Sequence, residues 1–226
     1  MVLALLAALL SPPTVDRAWD AAWALGAAGG WAGLHALQPD LVDTPCPCTR
    51  DDVNALDRVA VGLDFPQAEG LADALVVTTM ALAPLAPALL ADGPDDAFDD
   101  ALLVAQSMAA AGLLTEAAKI AVGRPYPYMH GPAPYPEQNG DGVNYASFWS
   151  GHTAVPMAGV VAATTACRLR HPGRAACWLP ALVGGALALT AGGLQIAAEN
   201  HFPTDVATGA AVGVGVGWLL PTAHTW

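Results

Sequence analysis

Three short segments concentrate the side chains able to handle a phosphate: Lys119-Ile-Ala-Val-Gly-Arg124-Pro-Tyr126-Pro127, Ser147-Phe-Trp-Ser150-Gly151-His152-Thr153 and His201-Phe-Pro-Thr-Asp205. Ser150-Gly151-His152 opens a helix, where free backbone N–H groups and the helix dipole favour an anion. Gly151 lets that anion approach the backbone closely. His201 and Asp205 stand four residues apart, one helical turn. Asp205 can therefore accept from one ring nitrogen, fixing the tautomer and raising the nucleophilicity of the other. His152 is then the candidate to protonate a leaving oxygen. Lys119 can neutralise phosphate charge or pair with Glu116, three residues earlier, as a structural ion pair. The chemistry that fits is phosphoryl transfer through a phosphohistidine, with His201, His152 and Asp205 catalytic and no metal or other cofactor required. His35, His130, His171 and His224 belong to no such constellation and read as surface or helix-end residues.

The elements that must position these residues are apolar. The chain has 226 residues, 54% hydrophobic and 12% charged, with a mean hydropathy of +0.43. That length suits one domain, and a soluble globule carries about 25% charged residues. Such hydrophobicity excludes disorder. The formal net charge is −12, from 20 acids against 8 bases, which removes electrostatic support for nucleic-acid binding. Residues 74–91, 175–198 and 206–226 carry no charged side chain. Crossing a bilayer takes about 20 apolar residues, so candidate spans lie at 21–37, 72–91, 101–122, 151–168, 178–198 and 205–221. The alternative is a soluble, Ala-rich helical bundle; the length of the uncharged runs favours the membrane. The expected fold is all-α, a six-helix transmembrane bundle.

The chain divides into an N-terminal segment (1–20), a first helix with a polar loop (21–70), a helical core (71–221) and a short tail (222–226). Residues 1–11 read either as the apolar part of a signal peptide or as the start of the first helix. Residues 92–100 (DGPDDAFDD) read as an acidic turn. Residues 124–149, dense in Pro, Gly and Tyr, read as a loop, and one this long is usually functional. Residues 168–174 hold three of the eight bases, which places that turn in the cytoplasm. By alternation, the 124–149 loop and the 199–203 turn share the outer face. Cys46 and Cys48 lie too close for an easy mutual bridge, and the four cysteines leave the compartment open.

The three segments, in this order, resemble the type 2 phosphatidic acid phosphatase / vanadium haloperoxidase superfamily, whose motifs read K-x-x-x-x-x-x-R-P, P-S-G-H and S-R-x-x-x-x-x-H-x-x-x-D. The resemblance spans roughly residues 72–221. It implies that His201 is the nucleophile, Asp205 its orienting partner and His152 the general acid, with Ser150, Gly151 and Lys119 on the phosphate. The implied protein is a membrane phosphatase of lipid phosphates or diphosphates. It would be metal-independent, partnered by its lipid substrate and membrane lipids, and set in a bacterial inner membrane with the site on the periplasmic face.

This chain departs from the pattern at several places. Trp149 stands in the Pro position and Leu194 in the Ser position. Tyr126 and Gln195 occupy the two arginine positions. Arg offers phosphate a bidentate fork, and losing one transition-state donor costs about 10²–10³ in rate. Arg124 is the candidate substitute, since Gly123, Pro125 and Pro127 end the helix and could re-aim it. Two alternatives stay open: a degenerate relative that binds lipid or phosphate without turnover, and a haloperoxidase that carries vanadate as its cofactor.

Overall fold

A computed structural model describes residues 12–43, 46, 48–63, 65–131 and 142–225. The apolar start (1–11), the middle of the 124–149 loop and Trp226 lie outside the described residues, so the signal-peptide reading does too. Regular structure among the described residues is helical: α1 (Arg17–Leu41), α2 (Gln67–Leu82), α3 (Ala86–Leu90), α4 (Pro94–Val122), α5 (Gly151–Arg170), α6 (Gly185–Ala197) and α7 (Pro203–Ala223). A 3₁₀ turn at Ala83–Leu85 joins α2 to α3, making six long helical segments in all. Four of them are long and apolar enough to cross a membrane: Gln67–Leu90, Pro94–His130, Ala175–Ala197 and Pro203–Ala223. Leu71, Val77, Leu182, Leu189, Trp218 and Leu219 stay exposed on their outer faces, as lipid-facing side chains do.

α5 is the enclosed helix, with most of its residues buried. Its closest partner is α7, and the reason is a stripe of glycines. A Cβ on Gly209, Gly213 or Gly217 would stand 2.5 Å from the carbonyl oxygens of Ser150, Ala154 and Ala158 respectively. Small residues every fourth position let two backbones meet where lipid offers no hydrophobic drive. The seam has a functional consequence: it brings the start of α5 against the start of α7, and the amide of Ser150 donates to the carbonyl of Asp205 at 3.1 Å.

The acidic 92–100 stretch is not a turn but mostly helix. Pro94 sits in the first turn of α4 with Asp95 and Asp96. Pro has no N–H to lose there, and acids complement the positive end of the helix. The bases that answer these acids come from far along the chain. Arg17 pairs with Asp95 at 2.9 Å and Asp99 at 2.6 Å, and Arg170 with Asp96 and Asp100 at 2.8 Å each. At its other end α4 closes on Gly123, whose φ of 55° is left-handed and suits glycine. The chain then turns away with Arg124.

The described parts of the loops hold more regular structure than their composition implies. Residues 38–70 contain 3₁₀ turns at Arg50–Asp52 and Asp57–Ala60, and Val53, Ala60 and Val61 pack on Phe202. The 124–149 segment contains 3₁₀ turns at Pro127–His130 and Gly142–Tyr145, with Met129 and Tyr145 buried against Val42. Cys46 pairs with Cys48 after all, and Cys167 with Cys177.

Candidate active site

His201 lies in the connection between α6 and α7 and is 2% exposed. Its Nδ1 stands 2.8 Å from the carbonyl oxygen of Ser147. A carbonyl only accepts, so Nδ1 carries the proton and Nε2 keeps its lone pair. The hydrogen bond expected from Asp205 is not made, because Oδ2 is 3.8 Å from Nδ1. Asp205 is occupied elsewhere. Its Oδ2 accepts from the Phe202 amide at 2.8 Å and from Ser147 Oγ at 2.5 Å. Its Oδ1 accepts from Arg124 Nη1 at 2.5 Å. Asp205 acts on His201 as a nearby charge and, through Ser147, as a brace. Burial pushes the His201 imidazole below its ordinary value, and the Asp205 carboxylate opposes that shift.

Arg124 does not reach the front of the site. The irregular backbone after Gly123 does re-aim it, but behind Asp205. Nη1 also meets Thr204 Oγ1 at 2.8 Å, Nη2 meets Asp57 Oδ2 at 2.8 Å, and the guanidinium stacks 4.0 Å over the Phe202 ring. Asp57 in turn accepts from Thr204 and Asn54. Burial alone would raise the Asp57 carboxyl, but the hydrogen bonds from Arg124, Thr204 and Asn54 outweigh it and hold it below the ordinary carboxylate range. A guanidinium shared by two buried carboxylates is a structural clamp on the α7 start, not a free phosphate donor.

His152, in the first turn of α5, presents its ring 5.8 Å from that of His201, centroid to centroid. Its Nε2 is 3.1 Å from Asp73 Oδ1. Gln195 Nε2 approaches the same oxygen at 3.4 Å, while its Oε1 accepts from Asn200 at 2.8 Å. Tyr126 stacks on Tyr128 and stands 6.0 Å from the His201 ring. Ser150 is fully buried at the N-cap of α5. The amides of Gly151 and His152 precede the first residue with an intrahelical acceptor. Lys119 Nζ is 3.5 Å from Glu116 Oε1. Lys119, Gly151 and His152 line one cavity of about 430 Å³, walled by apolar side chains of α1, α2 and α5.

The sequence-derived set therefore gathers, with one exception. Lys119, Gly151 and His152 line one cavity; His201 adjoins His152 and Tyr126, Gln195 meets His152 through Asp73, Ser150 sits at the N-cap of the helix beneath them, Asp205 supports His201 from behind, and Arg124 is drawn away. Four participants escape a reading by motif: Ser147, Asp73, Asp57 and Glu116. Ser147 opens the second motif segment and was within reach. Asp73 and Asp57 carry no spacing signal, because their partners come from other segments, whereas Glu116 is legible only as the partner of Lys119 three residues on. His35, expected to stand apart, meets Glu116 Oε1 at 3.2 Å.

The helices and the paired histidines define an integral membrane protein with a phosphatase-type site. Residues 100–226 match the PAP2 superfamily, more than half of the chain, and the protein belongs to that superfamily. No curated protein and no solved structure matches the chain. Members of the superfamily are generally phosphoesterases, so the protein is a hydrolase of that broad kind.

Proposed function

We propose that the protein hydrolyses a lipid phosphate or diphosphate monoester through a phosphohistidine on His201, without a metal. The observation that carries this reading is the Ser147 carbonyl 2.8 Å from His201 Nδ1, which leaves Nε2 as the nucleophile. Nε2 attacks phosphorus, and the P–O bond to the lipid breaks. The departing oxygen takes a proton from His152, whose Nε2 is held 3.1 Å from Asp73 Oδ1. The phosphorylated His201 ring is cationic, and the Ser147 carbonyl and the Asp205 carboxylate stabilise it. Water then attacks phosphorus, His152 accepts the water's proton, and phosphate leaves with His201 restored. Lys119 and the first amides of α5 hold the non-bridging oxygens. Tyr126 and Gln195 line the site where arginines would otherwise grip. The apolar cavity between α1, α2 and α5 admits the lipid chain.

The reading sets the protein in a bacterial inner membrane with the site on the periplasmic face; the three bases of residues 168–174 support it, by favouring a cytoplasmic side for the turn at the far end of the bundle. The Cys167–Cys177 disulfide beside that turn pulls the other way, since disulfides persist in oxidising compartments. Accessibility of a cysteine introduced at Pro172 to an impermeant thiol reagent in intact cells decides between the two orientations.

A second reading, binding without turnover, draws on the positions of Tyr126, Gln195 and Asp73. They leave two arginines fewer and one carboxylate more around the phosphate. Purified protein assayed against phosphatidic acid and isoprenoid diphosphates separates the readings. Phosphate release above a His201→Ala control supports the enzyme; release equal to that control leaves only binding.

A further inference from the structure

Glu116 is the group in the site that the phosphatase chemistry does not use. It sits on α4, one turn before Lys119, and is 3% exposed. Its Oε1 faces both Lys119 Nζ at 3.5 Å and His35 Nδ1 at 3.2 Å. Its Oε2 is buried and accepts no hydrogen bond from the described residues. Glu116 lines the same cavity as His152 and Lys119, among walls such as Trp31, Met80 and Val155.

A buried carboxylate oxygen without a donor costs the desolvation of a charged group. A carboxylate beside a phosphate site also repels the phosphate. Both costs are relieved by the same ligand: one that brings its own hydrogen-bond donor next to its phosphate. An apolar wall beyond that point accommodates the first carbons of a chain.

We propose that Glu116 is a specificity-determining residue, reading a hydroxyl or ammonium donor on the carbons adjacent to the phosphate ester of a single-chain lipid phosphate. This inference rests on the phosphatase reading and narrows its substrate class. The donor docks on Oε2 while Lys119 and His35 hold Oε1. Lipid phosphates whose neighbouring carbons carry only hydrogens leave Oε2 unpaired and are poorer substrates.

Three synthetic substrates test this: hexadecyl phosphate, 2-hydroxyhexadecyl phosphate and 2-aminohexadecyl phosphate, each assayed for phosphate release by the full-length protein in detergent. The wild type is expected to turn over one or both donor-bearing substrates with kcat/KM about 10-fold or more above hexadecyl phosphate, the scale of a hydrogen bond to a charged group. The hydroxyl and amino arms show which donor is preferred. In Glu116→Gln, Lys119 and His35 orient the amide oxygen toward themselves, so an NH₂ takes the place of Oε2. The ratio between donor-bearing and plain substrate is expected to collapse toward one. The ratio is read within each protein, so a general loss of activity does not disturb it, and the wild-type ratio stands without any variant.

Equal kcat/KM for all three substrates in the wild type overturns the assignment and leaves the phosphatase reading intact. A preference that survives in Glu116→Gln also overturns it. Release of phosphate from none of the three above a His201→Ala control overturns the phosphatase reading, and this inference with it.

Discussion

The carbonyl oxygen of Ser147 lies 2.8 Å from Nδ1 of His201, while the hydroxyl of Ser147 donates to Asp205 at 2.5 Å. One residue thus sets the tautomer of the proposed nucleophile and ties it to the carboxylate behind it. Burial keeps the ring below its ordinary pKa against the pull of Asp205. The nucleophile reacts unprotonated, so a lowered value extends the active form toward acid. The acid limb of kcat/KM, which reports the free enzyme, is expected to fall below the ordinary imidazole value of about 6.5. A limb at pH 7 or above contradicts this placement of His201.

Asp73 stands 3.1 Å from Nε2 of His152, where its charge counters the burial and the neighbouring His201 and Lys119 that disfavour the imidazolium needed to protonate the leaving oxygen. Asp73→Asn keeps the shape and removes the charge. Its kcat is expected to drop by about 10-fold or more, within the range of general acid catalysis, with KM unchanged or lower because a repulsive carboxylate is gone. Steady-state kinetics on one substrate reads both parameters. An unchanged kcat removes Asp73 from the mechanism.

The buried Asp57 pairs with the half-buried Arg124 behind the site at 2.8 Å. Asp57→Ala removes one of the two carboxylates that hold Arg124 and leaves the Thr204 and Asn54 donors without their acceptor, at a cost of about 1–3 kcal/mol. Asp57→Ala is therefore expected to lower the melting temperature in detergent markedly. The double variant Asp57→Ala, Arg124→Leu also unpairs the buried Asp205 and is expected to be less stable than the single variant. Thermal unfolding of the three proteins checks both statements; a single variant as stable as wild type refutes the clamp.

The α5–α7 seam predicts a separate stability effect. A Cβ at Gly213 would lie 2.5 Å from the Ala154 carbonyl oxygen and 2.8 Å from Met157 Cβ. Gly213→Ala is expected to cost about 1–3 kcal/mol through overpacking. That lowers the melting temperature by at least about 2–4 °C. Gly215, with nothing within 4 Å of an added Cβ, is the control: Gly215→Ala is expected to leave the melting temperature unchanged or raised.

Much of the fold was legible because charge-free runs mark helices that water cannot solvate. The uncharged residues 74–90 and 206–223 fall on the α2–α3 segment and α7 for that reason. The acidic 92–100 stretch misled because a cluster of aspartates resembles a turn when its counter-ions are invisible; Arg17 and Arg170 answer it from 78 and 70 residues away. Within the site, His152, His201 and Lys119 were legible because motif spacing survives in them. Arg124 was legible as a displaced base, but its destination was not, since Asp57 and Asp205 come from other segments. Asp73 sits just ahead of an uncharged run and reads as the polar end of a span. The packing of α2 against α5 and α6 brings it to His152 and Gln195.

The central claim is that His201 Nε2 becomes covalently phosphorylated during turnover. Rapid acid-free quenching of the enzyme with a lipid phosphate, followed by proteolysis and mass spectrometry, tests it directly. The account predicts a phosphoryl group on the peptide containing His201, labile to acid and stable to alkali, absent from His201→Ala and accumulating in His152→Ala with a good leaving group. Sustained hydrolysis with no phosphorylated His201, or with the label on another residue, contradicts it.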